Sequence, residues 1–113
     1  MGRHYSLDSL KEISGGDEEF MVVIASTFLE EIPPDLEFLE QAVVNNNKEL
    51  AYQFAHKMKP NFEMFGIDVL KEVSNIESWT KTTKRVEVVQ HNLDHILGLV
   101  NKVFDELKAD FKL

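Results

Sequence analysis

Apolar residues return every three or four positions along almost the whole of this chain, and no stretch alternates with strand-like composition. That period predicts an all-α fold. Polar and glycine punctuation then cuts the pattern into elements. Ser6 is placed to cap a short first helix carrying Leu7, Leu10 and Ile13, and Gly15-Gly16 supplies the left-handed geometry that ends it. Asp17 opens a second helix with Phe20, Ile24, Phe28 and Ile32 as its inward stripe. The pattern continues through Leu36, Leu39 and Val43 across Pro33-Pro34, where a kink or a break is expected. Asn45-Asn46-Asn47 interrupts it, and Asn47 caps a third helix that spans about residues 48–65 and ends at Gly66. Asp68 is expected to cap a fourth helix with Val69, Val73, Ile76 and Trp79 inward. After the connection Thr80-Lys81-Thr82-Thr83, a last helix is expected from about Lys84. Val86, Leu93, Val100, Leu107 and Phe111 share one stripe of it, while Glu87, His91, His95 and Asp105 fall on the other side.

Four substantial helices with short connections pack best as an antiparallel four-helix bundle, here with a short additional N-terminal helix. The 113 residues suit a single domain, 1–113, with its own core, and no linker divides them. The longest apolar runs, FMVVIA and ILGLV, are too short to span a bilayer. MGRHYSLDSL lacks the apolar region and cleavage site of a signal peptide, so a cytoplasmic location is expected. The chain is expected to be a monomer. A formal net charge of −8 opposes nucleic-acid binding, which needs a basic footprint. The absence of cysteine removes disulfides, thiolate metal sites and cysteine nucleophiles. A protein partner fits this surface better.

One local feature asks for a reason. Pro60 lies within the third helix, four residues after His56, where it has no N–H to give the His56 carbonyl and crowds it with its ring. Such a defect costs roughly 3 kcal/mol in a helix interior. On a helical wheel Leu50, Phe54, Met58, Phe62 and Phe65 form the core arc, joined near its edge by Ala51 and Ala55, and His56 lies roughly 165° from its centre, so the imidazole is expected to be exposed. Lys59 shares its face at i+3, Gln53 adds an amide, and Glu49 and Glu63 flank it. An exposed imidazole with a cation one turn away suits a reversibly held anion.

The segment AHKMKPNFEMFG, residues 55–66, resembles the motif of histidine-containing phosphotransfer domains. There an AHxLKG-like segment on a long bundle helix presents a phosphoacceptor histidine, and a further glycine lies near the helix end. His56, Lys59 and Gly66 occupy those places. The likeness covers nearly the whole chain except its far N-terminus and residues 80–85. Pro60 is the departure, since a small residue, usually glycine, is common there and small residues follow where this chain has Asn61 and Phe62. The resemblance implies a two-component phosphorelay in which His56 carries a phosphoryl group between receiver-domain aspartates. Lys59 would stabilise that group, with Gln53, Pro60 and Gly66 in support. The implied partners are receiver domains of response regulators or hybrid histidine kinases. Magnesium would belong to the receiver, and the chain would need no cofactor or metal of its own.

Other chemistry finds less support. Neither a GxxxxGKS/T loop nor GxGxxG is present, so ATP-dependent kinase activity is not expected. His91 and His95 stand at i and i+4, a spacing that can face zinc, but Asn92 replaces the glutamate of HExxH and no third ligand lies nearby. A solvated helix face explains them. Val22 and Val23 are apolar beyond the inward stripe of the second helix, and with Tyr52 they are candidate docking residues. The alternative to a relay is a non-catalytic helical-bundle protein-binding module built on the same scaffold.

Overall fold

Side-chain caps start the first three helices. In the computed structural model, which describes residues 3–113, Ser6 accepts from the Ser9 N–H at the head of α1 (Leu7–Ser14). Asp17 accepts from Phe20 at the head of α2 (Glu18–Val44), and Asn47 from Leu50 at the head of α3 (Lys48–Met64). Each bond satisfies a backbone donor that the helix itself leaves open. Gly15 and Gly16 end α1 at φ of 65° and 84°. The last two helices are α4 (Leu70–Trp79) and α5 (Gln90–Phe111), with one 3-10 turn at Val86–Val88 before α5, and no strand occurs among the described residues.

Three expectations need correction. The second helix runs through Pro33-Pro34 without the break that was one of the two expectations there. Burial of Phe28 and Ile32 on one side of the pair and Leu36 and Leu39 on the other holds both flanking turns to the core. Asp68 does not cap α4, because Val69 occupies the cap position. Ile67 and Val69 are both buried, and drawing them inward takes the chain past Asp68 before the helix begins. The last helix starts at Gln90, not near Lys84. Trp79 Nε1 donates to the Lys84 and Arg85 carbonyls at 3.0 and 3.1 Å, and Lys48 Nζ donates to those of Thr82 and Lys84. These side-chain bonds hold residues 82–85 as a connection, and the chain enters only a 3-10 turn, with Val88 N–H donating to the Arg85 carbonyl, before α5 begins.

The packing of α2 on α3, α3 on α4, α4 on α5 and α5 back on α2 closes a ring, and α1 lies against α2. Phe28 joins its sides, its ring centroid 4.2 Å from Phe65 and 5.9 Å from Phe104. The inward faces are rotated from those expected. On α2 the buried line is Met21, Ala25, Phe28 and Ile32, leaving Phe20 46% exposed. On α3 it is Ala51, Ala55, Met58 and Phe62, leaving Leu50 41% exposed. Alanine explains the shift, since interaxial distance depends on the side chains at the contact and small ones let two helices approach. Phe28, Ile32, Met58, Phe62 and Phe65 are buried as expected, whereas Phe20 and Leu50 are not.

The segment before α1 ties the two ends of the molecule together. Ser6 N–H donates to the Phe65 carbonyl at 2.7 Å. Arg3 Nε and Tyr5 hydroxyl each donate to Asp110 at 2.7 Å, and the His4 backbone N–H donates to Glu106 at 2.7 Å. Gly66 belongs to this junction. At φ 62°, a β-carbon on it would lie 2.7 Å from Ser6 Cβ, too close for any other residue without movement. Among the described residues no helix is long and apolar enough to cross a membrane.

Candidate functional site

His56 sits on the solvent side of α3 with its side chain 66% exposed. Its Nδ1 is 3.0 Å from Glu77 Oε2, a carboxylate that α4 brings across the α3–α4 contact. Lys59 Nζ, three residues along α3, donates to the other oxygen of the same group at 2.9 Å. One carboxylate thus bridges two side chains of the neighbouring helix. Glu77 is 13% exposed, and that burial pushes its carboxyl up, but hydrogen bonds and charge from Lys59 and His56 outweigh burial and hold it below the ordinary range.

Sequence reasoning missed Glu77. It anticipated Lys59 as a cation free to meet an anion, whereas the ammonium is engaged by Glu77 and 30% exposed. Glu49 and Glu63, the carboxylates that flank His56 along α3, are exposed and neither is among its hydrogen-bond partners. The only signal for Glu77 was its position beside the buried Ile76 on the helix after the histidine. Which α4 residue reaches His56 depends on the rotation of α4 against α3, and the spacing within either helix does not encode it.

The other candidate residues divide. Tyr52, one turn before His56, lies with its ring nearly parallel to the imidazole, centroids 5.6 Å apart and planes within 8°. Gln53 is exposed and lines a cleft of about 400 Å³ with Lys48, Glu49, Tyr52, Thr80 and Lys81, with no hydrogen bond to His56 among the described residues. Pro60 is exposed one turn beyond His56, and α3 continues through it to Met64. Gly66 lies ten residues along, a rise of about 15 Å at helical pitch, and serves the junction with Ser6.

Val22 and Val23 do not form one patch. Val22 is half-buried in a cleft with Leu7, Met21 and Phe111. Val23 is 57% exposed beside Phe20, Asn61 and Met64, on the α3 side. Consecutive helical residues diverge by about 100°, and each cleft takes one of them.

Two further polar contacts involve α3 and α5. Lys57 Nζ is 3.1 Å from the Asp35 carboxylate, which accounts for an acid buried on α2. His95 Nε2 is 3.4 Å from the Asp68 carbonyl, and His91 lines a separate cleft with Asn75 and Trp79. Among the described residues no three histidine, aspartate or glutamate side chains gather as metal ligands.

A carboxylate can only accept, so the Nδ1 facing Glu77 carries a proton, and in the neutral ring the lone pair then lies on Nε2. The arrangement offers an exposed nitrogen nucleophile whose tautomer is set from behind by a held carboxylate, with an ammonium beside it. Compared with known proteins, the chain matches no protein-family model, no characterised protein and no solved structure at a significant level.

Proposed function

We propose that this protein is a histidine phosphotransfer protein that relays a phosphoryl group between receiver-domain aspartates through Nε2 of His56. The fold that goes with this reading is an antiparallel four-helix bundle, α2 to α5, with α1 added at its side. The observation that carries it is the Glu77 contact to Nδ1, because it gives the exposed imidazole the tautomer with a nucleophilic Nε2. In the step itself the Nε2 lone pair forms a bond to the phosphorus of a partner's aspartyl phosphate. The P–O bond to the aspartate breaks, and its carboxylate leaves with the electron pair. Nδ1 keeps its proton, and the positive charge that builds on the ring faces Glu77. Such placement of fixed charge is the main contribution a protein makes to phosphoryl transfer.

Lys59 acts twice in this scheme. One ammonium proton holds Glu77, and the others remain for phosphoryl oxygens as the group arrives. Transfer to a second receiver reverses the bond changes. Magnesium is assigned to the receiver.

The second reading, a protein-binding module without relay, draws on exposed apolar surface away from His56. Phe38 is 51% exposed and stacks on Phe54, ring centroids 5.2 Å apart. One experiment separates the two readings. The protein is incubated with receiver domains carrying an aspartyl phosphate, and acid-labile, alkali-stable phosphate is mapped by mass spectrometry. The relay requires label on His56, its loss in His56→Gln, and its retention in His4→Gln, His91→Gln and His95→Gln. Binding of a receiver with no label on the parent protein would leave the module reading standing.

A further inference from the structure

The Glu77 hydrogen bond fixes one edge of the His56 ring but leaves it free to swing about that contact. A second restraint lies one turn back on α3. Tyr52 is half-buried, and its ring runs parallel to the imidazole, with planes within 8° and centroids 5.6 Å apart. Lys81, from the connection after α4, places Nζ 5.5 Å from the centroid of the Tyr52 ring, within the range of a cation–π contact. Lys81 makes no ion pair with a carboxylate among the described residues. The series Lys81, Tyr52, His56 thus reaches from the α4–α5 connection to the ring that bears Nε2.

We infer that Tyr52, held by Lys81, is a positioning residue that fixes the plane of the His56 imidazole. Its consequence for transfer rests on the phosphotransfer reading above. An sp² lone pair lies in the ring plane, so its direction in space needs two restraints. The bond from Nδ1 sets the direction within the plane, and the stacked Tyr52 ring sets the plane. In-line attack on phosphorus depends on that direction, and a misplacement of about 1 Å can cost about 100-fold in rate. An i, i+4 aromatic pair also supports a helix slightly. That role alone would leave the chemical step unchanged.

The test uses the full chain as parent, Tyr52→Phe, Tyr52→Ala and Lys81→Gln, with two readouts. The first is the nitrogen spectrum of the His56 ring by NMR, which needs no partner. The parent and Tyr52→Phe should show a single ordered ring with protonated Nδ1, whereas Tyr52→Ala should show averaging between orientations and tautomers. The second is transfer from a receiver domain carrying an aspartyl phosphate. Tyr52→Ala should lower kcat about tenfold with KM unchanged, Tyr52→Phe should restore it, and Lys81→Gln should fall between. A parent-like ring spectrum in Tyr52→Ala would overturn the inference. So would a rise in KM at constant kcat, which would make Tyr52 a docking contact. If the parent accepts no phosphate, the relay reading fails, and the ring spectrum still decides whether Tyr52 orders the imidazole.

Discussion

His4 and His56 both set Nδ1 against a glutamate, Glu106 on α5 and Glu77 on α4. Their surroundings differ. The second oxygen of Glu106 takes the backbone N–H of His4 itself, and the flanking Arg3 and Tyr5 both bind Asp110. Every contact there ties the segment before α1 to α5. The second oxygen of Glu77 takes Lys59 from the helix that carries His56, and Tyr52 stacks on the ring. The His4 side chain is 40% exposed against 66% for His56. The same pair of groups closes the chain in one place and presents a ring in the other, and the partner of the second carboxylate oxygen marks which.

The largest expected difference between the two pairs comes from neutralising each glutamate. Glu77→Gln keeps shape and an acceptor but loses the charge that, under the proposed relay, would face the ring as the N–P bond forms. We expect single-turnover transfer from a receiver's aspartyl phosphate to fall about 10- to 100-fold. Glu106→Gln should stay within about twofold of the parent, since it touches only the N-terminal clasp. Equal rates for the two variants would erase the distinction.

That contrast also marks how far the sequence could be read. The all-helical class, the caps at Ser6, Asp17 and Asn47, and the outward position of His56 follow from interactions within a few residues, which local pattern records. The rotation of α2 and α3 about their axes does not, because it depends on Ala25, Ala51 and Ala55 allowing close approach. Glu77 is invisible for the same reason. Its contact with His56 spans 21 residues and depends on how two helices meet. Tyr52 was legible as a neighbour at i−4, yet its parallel stacking is a rotamer property that spacing leaves open.

Lys59 and Lys57 extend the comparison to the two acids that α3 engages. Lys59→Ala removes one of the two partners that hold Glu77, and transfer should slow about tenfold, with a stability change of about 1 kcal/mol or less for a partly exposed pair. Lys57→Ala breaks the contact to Asp35, which is only 10% exposed, so it should cost about 1–3 kcal/mol and leave transfer intact. Denaturant unfolding and single-turnover transfer on both variants check this. A Lys59→Ala protein that transfers at the parent rate at saturating donor would remove that side chain from the mechanism.

Acid should weaken both regions, by smaller amounts. Glu77 is held below the ordinary carboxylate range by Lys59 and His56 against the opposing effect of burial, and Asp110 by hydrogen bonds from Tyr5 and Arg3. A carboxylate with a depressed folded pKa contributes stability above its unfolded value of about 4, and loses it as pH falls through the folded value. Glu77→Gln and Asp110→Asn should therefore each be less stable than the parent at neutral pH, and the gap should shrink below about pH 4. Unfolding free energies measured at both ends of that range test the sign. A gap that widens in acid would mean these groups are not stabilised as anions.

The smallest effects belong to the prolines. Pro60 and Pro34 are both exposed within unbroken helices, and each lacks the N–H that the carbonyl four residues back would accept. Replacing either with alanine restores that bond and removes the ring's crowding, so Pro60→Ala and Pro34→Ala should each stabilise by on the order of 1 kcal/mol or more. Only Pro60 lacks the N–H that would meet the carbonyl of His56, one turn from the ring that a receiver would approach under the proposed relay. Its compact ring would cover little of that approach, and the absence of the usual i+4 donor to the His56 carbonyl would leave the local turn room to yield when a partner docks. We expect Pro60→Ala to slow transfer modestly and Pro34→Ala to leave it unchanged. Unfolding free energy and transfer rate measured on the same preparations decide the matter. If both variants gain stability and both transfer at the parent rate, Pro60 is only tolerated beside His56 and does nothing for it.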